Sequence, residues 1–165
     1  MKVLLVNSSS HQNGCTYTAL SEAARALQEC GVQTELIWLG NDALRDCVAC
    51  GHCRKAGRCV FDDLVNSFVD KAREADGFVF GSPVYYAHPT GRLLSFMDRA
   101  FYSGASAFKL KPAAAVLSAR RAGTTASFDV INKYFTICSM PVVASTGTMY
   151  TGQRQRTCSK TPRGL

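Results

Sequence analysis

The stretch GFVFGSPVYYAHPTGRLLSFM occupies residues 77–97, and its pattern decides the fold class of the chain. Its first six residues, GFVFGS, are mostly apolar, which is typical of a strand buried on both faces of a parallel sheet. A loop, PVYYAHPTG, follows. Apolar residues then recur at helical spacing, at Leu93, Leu94, Met97 and Phe101. A buried strand, a loop and a helix form the repeating unit of an α/β domain.

The same unit recurs on both sides of this stretch. Apolar runs predict four further strands: KVLLVN (2–7), VQTELIWL (32–39), AAAVLSA (113–119) and PVVAS (141–145). Helical spacing predicts three more helices: residues 16–30, a helix capped by Asp62 or Asp63, and residues 128–138. Five strands alternating with four helices predict one doubly wound five-stranded parallel sheet. Ligands of such sheets bind beyond the carboxyl ends of the strands.

Charge and composition exclude two classes of protein. The net charge is +7, but four basic residues lie in the last nineteen positions, and the rest of the chain is only +3. Nucleic-acid binding needs basic residues clustered on one face, so we expect no nucleic-acid partner. No apolar run reaches the ~20 residues of a membrane span. The N-terminal apolar run is also shorter than a signal-peptide core, so we expect a cytoplasmic protein without a membrane partner.

The loop after the first strand reads NSSSHQNGCT, residues 7–16. It lacks the lysine of a P-loop and the glycine fingerprint of a dinucleotide turn. It offers the hydroxyls of Ser8, Ser9, Ser10 and Thr16 just before a helix, whose free N–H groups attract phosphate. The pattern therefore suits a mononucleotide phosphate. The alternative is a solvated loop that ends in an ordinary helix cap.

Two further loops follow strands at the same edge of the predicted sheet. Tyr85 and Tyr86 could lie against a planar aromatic ring, or they could simply close the core. The loop SARRAGTT, residues 118–125, has a glycine that allows close backbone approach. Arg120 or Arg121 could meet an anion there, or both could be solvated surface residues.

The stretch CVACGHCRKAGRC, residues 47–59, holds four of the eight cysteines. Compact thiolate runs of this kind hold iron–sulfur clusters. Structural zinc usually takes two C-x2-C pairs that lie further apart, and a redox C-x-x-C would not need the third and fourth cysteines. Four free thiols are the remaining alternative. Cys30 and Cys138 are expected in the core, because they lie on apolar helical faces.

These pieces together resemble the NAD(P)H-dependent FMN reductase family of the flavodoxin-like fold, and within it the iron–sulfur flavoproteins. The resemblance rests on NSSSHQNGCTYTAL, DCVACGHCRKAGRCVFDD, ADGFVFGSPVYYAHPTGRLLSFMDRAFY and GTTASFDVINKYF, in that order. It implies bound FMN, whose phosphate would contact Ser8, Ser10, His11, Cys15 and Thr16. The isoalloxazine ring would lie against Ser82, Pro83, Val84, Tyr85 and Tyr86, with Ser118, Arg120 and Gly123 along another edge. A [4Fe–4S] cluster would be held by Cys47, Cys50, Cys53 and Cys59.

The activity implied by the resemblance is electron transfer from NAD(P)H through FMN. We expect the acceptor to be a quinone, a free flavin, a nitro compound, or an iron–sulfur centre or other redox protein. No side chain is expected to act as a nucleophile or general base, because the cofactor carries the chemistry. Two alternatives are an iron–sulfur electron carrier without NAD(P)H oxidase activity, and a flavodoxin-like domain with a structural four-cysteine zinc site. We also expect a homo-oligomer, a dimer or larger.

The segment GTMYTGQRQRTCSKTPRGL, residues 147–165, breaks the pattern. We expect residues 1–146 to form the FMN-binding domain, with a cysteine-rich loop at 46–61. A final helix should follow the fifth strand, but the tail is basic and has no helical apolar period. Suitable codons read with a one-base shift spell WNNVHGAKAEDVLKDAEGL, which resembles the usual continuation in this family. We therefore expect a tail that is out of frame, a fold without its C-terminal helix, and marginal stability.

Overall fold

The structure, a computed structural model, describes residues 1–144. Its elements are β1 (Lys2–Asn7), α1 (Cys15–Glu29), β2 (Gln33–Trp38), α2 (His52–Ala56), α3 (Leu64–Glu74), β3 (Gly77–Tyr85), β4 (His88–Pro89), α4 (Gly91–Phe108), β5 (Ala113–Ser118) and α5 (Thr124–Ile137). The proposals about residues 147–165 lie outside the described residues.

The sheet has the doubly wound order that the sequence predicts. Strands β2, β1, β3 and β5 are neighbours in that order, and all of these pairs are parallel. A parallel bridge from Ala113 to Val142 places the last described segment at the β5 edge, where PVVAS was expected. The carboxyl ends of β1, β3 and β5 therefore lie side by side, because adjacent parallel strands end at the same edge of the sheet.

Helices cover both faces of this sheet. Helices α3, α4 and α5 bury the larger core against one face, and many of its side chains are phenylalanines. Phe101 and Phe108 stack with ring centroids 4.4 Å apart, and Phe68 meets Phe96 edge-on at 4.8 Å. Helix α1 packs Leu20 on the opposite face, over a smaller cluster. Among residues 1–144, no helix is long and apolar enough to cross a bilayer.

Three local predictions differ from the structure. Strand β3 runs on to Tyr85 and pairs with β4, so PVYYAHPTG is partly a hairpin; Tyr86 and Ala87 form its turn with φ of 51° and 60°. The short helix α2 lies inside the cysteine-rich loop, which was expected to be irregular. Cys30 is exposed because α1 ends at Glu29, one residue before it, whereas Cys138 packs at the edge of the core.

Candidate functional site

The loops that follow β1 and β5 meet through a direct hydrogen bond. Thr16 Oγ1 and Ser118 Oγ lie 2.8 Å apart, although 102 positions separate them in the chain. The β1 loop is also joined to β3, because Ser8 Oγ donates to the carbonyl of Gly81 at 2.9 Å. The structure therefore brings together residues from each of the three loops that the sequence singled out.

Thr90 links the β1 loop to β3 by hydrogen bonds to Ser8 and Ser82. Its hydroxyl donates to Ser8 Oγ at 2.9 Å, and its backbone N–H donates to Ser82 Oγ at 3.0 Å. The same hydroxyl accepts the N–H of Leu93 and so caps α4. Ser8, Ser82 and Thr90 are all buried. Thr90 has no predicted role in the sequence, although a threonine before a helical pattern is a recognisable capping signal.

The β1 loop is held by three side chains that were not among the predicted site residues. Trp38 Nε1 donates to the carbonyl of Ser9 at 2.8 Å, and Asn41 Nδ2 donates to that of Ser10 at 3.1 Å. Asn7 bridges the loop from inside: its amide donates to the carbonyl of Gln12 and accepts the N–H of Ser9, both at 3.0 Å. These bonds leave a preformed turn ahead of α1.

The start of α1 has the electrostatic character of an anion site. Gly14 occupies the N-cap and offers no side chain to the first-turn N–H groups, and no acidic residue lies in that turn. Such N–H groups and the helix dipole favour negative charge. Ser10 and His11 are exposed beside this end, Cys15 is half-buried, and Thr16 is buried. The arrangement suits a phosphate bound by backbone N–H groups and hydroxyls.

The hairpin tyrosines are exposed at the same edge of the sheet. Tyr86 is fully exposed and Tyr85 is 48% exposed, so neither closes the core. The hairpin lies against the β5 loop at Gly123, where an added Cβ would lie 2.5 Å from Ala87 Cα. Gly123 also has a φ of 96°, which favours glycine. Pro83 and Val84 are half-buried on the hairpin.

Arg120 and Arg121 are exposed at the tip of the β5 loop. Neither side chain packs into the core. Both guanidinium groups therefore lie in solvent at the edge of the sheet where the three loops meet.

The four clustered cysteines line one cavity of about 500 Å³. Cys47 and Cys50 are exposed, Cys53 and Cys59 are half-buried, and all four are free thiols. Within the described part of the chain, no three His, Cys, Asp or Glu side chains are grouped closely enough to hold a metal ion. The fold therefore collects four soft donors around one space without arranging them as a coordination shell.

A buried arginine holds the end of this cysteine-rich loop. Arg99 Nε donates to Cys59 Sγ at 3.2 Å, and Nη1 and Nη2 each bind a carboxylate oxygen of Asp63 at 2.8 Å. Burial alone would lower the pKa of Arg99, but its hydrogen bonds to Asp63 and Cys59 have the larger combined effect, so the pKa is raised. The side-chain amide of Asn66 binds both backbone groups of Cys59: Oδ1 accepts the N–H at 2.9 Å, and Nδ2 donates to the carbonyl at 3.1 Å. No local sequence pattern predicts a role for Arg99 or Asn66. The partners of Arg99 lie far away in the chain, and those of Asn66 are mostly backbone groups of an irregular loop.

Comparison with known proteins agrees with this geometry. The family model of NADPH-dependent FMN reductases matches residues 1–153. The chain belongs to this family. An iron–sulfur flavoprotein of Methanocaldococcus jannaschii is 35% identical over 147 residues, which are 87% of this chain and 76% of the relative. An iron–sulfur flavoprotein of Methanosarcina thermophila is 28% identical over 147 residues, 87% of this chain and 77% of the relative.

Solved structures show that this family member has the flavodoxin-like fold. A flavodoxin from the domain Archaea superposes with a TM-score of 0.61 at 18% identity, covering 88% of this chain and 80% of the flavodoxin. An NADH:FMN oxidoreductase in its apo form superposes with a TM-score of 0.61 at 22% identity, covering 87% of this chain and 72% of the oxidoreductase. The predicted fold and family are therefore confirmed, and membership makes this FMN reductase-type chain an oxidoreductase that uses FMN.

Proposed function

We propose that this oxidoreductase takes a hydride from NAD(P)H and passes electrons to a quinone, a free flavin, a nitro compound or an iron–sulfur acceptor. The observation that carries the proposal is the convergence of three loops at one edge of the sheet, joined by the bonds Thr16–Ser118 and Thr90–Ser8. A ligand held there would contact all three loops at once, as FMN bound in one defined orientation requires.

The proposed FMN ligands fall into two sets. The phosphate set surrounds the start of α1 and consists of Ser8, Ser10, His11, Cys15 and Thr16. The hydroxyls of Ser8 and Thr16 already bind protein groups, so we expect them to orient the loop while its backbone N–H groups bind the phosphate. The ring set lies on the hairpin and the β5 loop and consists of Ser82, Pro83, Val84, Tyr85, Tyr86, Ser118, Arg120 and Gly123.

FMN supplies the redox chemistry when it is bound, because it accepts a hydride and can release electrons singly or in pairs. The chain's contribution is placement. The exposed side chains of Tyr85 and Tyr86 offer aromatic surface to the ring, and the turn at Ala87 packs closely against Gly123. The exposed Arg120 lies at the same edge, where a cation favours an anionic ligand. The proposal assigns no nucleophile or general base.

The cysteine cavity is proposed as a second redox site. Soft thiolates are the donors that iron–sulfur clusters take, and Cys47, Cys50, Cys53 and Cys59 line one space. Two relatives carry the name iron–sulfur flavoprotein, which supports the same assignment. Because the thiols are not yet arranged around one point, the loop has to close on a cluster as it binds. A structural zinc site remains the alternative, since zinc also takes four thiolates.

Anaerobic stopped-flow absorbance tests the proposed activity. Full-length protein loaded with FMN is mixed with NADPH or NADH, and the loss of the flavin absorbance is followed. We expect rapid bleaching with at least one nicotinamide, followed by recovery when a quinone is added. An electron carrier without NAD(P)H oxidase activity would bleach with dithionite but not with either nicotinamide. That result would overturn the proposal in favour of the carrier.

A further inference from the structure

The guanidinium group of Arg99 is buried beside the cysteine cavity and makes five hydrogen bonds, as many as it has N–H donors. Nε donates to Cys59 Sγ at 3.2 Å, and the two Nη atoms each donate to a carboxylate oxygen of Asp63 at 2.8 Å. The remaining two bonds, at 3.2 and 3.3 Å, reach the backbone carbonyls of Arg45 and Phe61. The orientation of the guanidinium is therefore fixed on every side.

These bonds fasten both ends of the cysteine-rich loop to α4. Arg45 lies two positions before the first cysteine of the loop, and Phe61 lies two positions after the last. The ring of Phe61 also packs against the guanidinium, with its centroid 5.1 Å from Arg99 Cζ. The first two thiols of the loop are exposed, whereas Cys59 stands at the fastened end with its sulfur bonded to α4. Cys59 is therefore held in position before any ligand enters the cavity.

The carboxylate of Asp63 balances the positive charge of Arg99, as a buried charge requires. Cys59 therefore receives a directed N–H from Arg99 rather than an unpaired cation. The guanidinium is planar and rigid, so the two bonds to Asp63 also set the direction of the Nε–H. A lysine would keep the charge, but its single nitrogen cannot reproduce this fork.

We infer that Arg99 is a positioning residue for the proposed iron–sulfur site, a role that presupposes that function. It holds Cys59 as the fixed ligand, and its Nε–H raises the reduction potential of the cluster. A hydrogen bond to a ligand sulfur favours the reduced state, because the positive end of the N–H attracts the added negative charge. Outer partners of this kind also orient the ligands that they bind.

A potential measurement separates this role from simple fastening of the loop. Full-length wild type and Arg99→Lys are loaded with FMN, reconstituted anaerobically with iron and sulfide, and assayed for iron. The midpoint potential of the cluster is then measured by a redox titration followed by EPR. Arg99→Lys keeps a positive charge and loses the Nε–H, so we expect a more negative midpoint and about 10–100-fold weaker iron affinity.

A matched control is Arg58→Lys, the same substitution one position before Cys59. Arg58 is exposed and pairs with Asp62, and it takes no part in the Arg99 bonds. We expect this variant to keep the iron content and the midpoint of the wild type. If Arg99 only fastens the loop, Arg99→Lys that holds iron should have the wild-type midpoint, and that result would overturn the inference.

A labelling experiment decides the matter if Arg99→Lys retains too little iron to titrate. Wild-type protein is produced with arginine labelled with ¹⁵N at Nε, and the reduced protein is examined by pulsed EPR. We expect a ¹⁵N coupling to the cluster, because the Nε–H of Arg99 binds a ligand sulfur. An iron-loaded wild type without that coupling would overturn the role of Arg99 and leave the cluster in place. A wild type that takes up no iron would overturn both, so its iron content tells the two failures apart.

Discussion

The residues around the cysteine cavity include buried ones that hold the loop, such as Arg99, and exposed thiols, such as Cys50. Arg99 is almost fully buried, and burying a charge is costly unless it is paired and hydrogen-bonded. Asp63 meets that requirement with both carboxylate oxygens, and the remaining bonds reach Cys59 and nearby carbonyls. Removing Arg99 would therefore disturb both the packing around it and the position of Cys59, a proposed cluster ligand. Cys50 is exposed, so its substitution changes the chemistry of the cavity with little cost in packing.

We predict that Cys50→Ala loses the iron chromophore and keeps its affinity for FMN. The reason is that Cys50 supplies a proposed cluster ligand but lies outside the proposed FMN ligands. The measurements are iron and acid-labile sulfide per chain after anaerobic reconstitution, and FMN affinity from quenching of flavin fluorescence. Cys30→Ala is the control, since Cys30 is exposed just after the end of α1, and the substitution should leave both values unchanged. Wild-type protein that takes up no iron would contradict the cluster, and uptake of zinc alone would favour the structural zinc site.

Helix α4 is the element that connects the two proposed sites. Thr90 caps it beside the proposed flavin site, and Arg99 on its middle turns anchors the cysteine-rich loop. Its other face packs on α3 at Gly104, where an added Cβ would lie 2.5 Å from Val69 Cγ1. Glycine there lets the two helices approach closely. The position of α4 therefore depends on a small residue at the α3 contact.

Gly104→Ala should destabilise the protein by about 1–3 kcal/mol, because overpacking forces neighbouring side chains and backbone to move. Gly91→Ala is a control in the same helix, since an added Cβ at Gly91 meets nothing within 4 Å. We expect that control to change stability by less than about 1 kcal/mol. Urea unfolding followed by circular dichroism measures both. Equal urea midpoints for Gly104→Ala and wild type would contradict this prediction, because they would mean that the Val69 side chain moves aside without loss of stability.

At the scale of the whole molecule, the proposed flavin site unites distant parts of the chain. Residues from the β1, β3 and β5 loops meet at one edge, and Thr16 and Ser118 join loops 102 positions apart. A ligand that contacts all three loops binds the native state and has no comparable site in the unfolded chain. Such a ligand stabilises the entire domain by mass action.

FMN at one hundred times its dissociation constant should stabilise the protein by about 2.7 kcal/mol. For a domain of this size, that corresponds to a rise in melting temperature of roughly 5–10 °C. Riboflavin is the matched control, since it has the same ring without the phosphate, and we expect a clearly smaller rise. Differential scanning fluorimetry, read in the tryptophan channel, measures both, with FAD expected to give no rise. Equal shifts for FMN and riboflavin would argue against a phosphate site at the start of α1.

The sequence alone determined the doubly wound sheet, the three loops at its carboxyl edge and the cluster of four cysteines. These features are local, because apolar periodicity, turn residues and cysteine spacing are set by neighbours in the chain. Only the tertiary structure decided that Thr90 ties Ser8 to Ser82 and that Arg99 reaches Cys59. These contacts depend on how crossover helices and strands pack in space: Ser8 and Thr90 lie 82 positions apart in the chain, and Cys59 and Arg99 lie 40 apart.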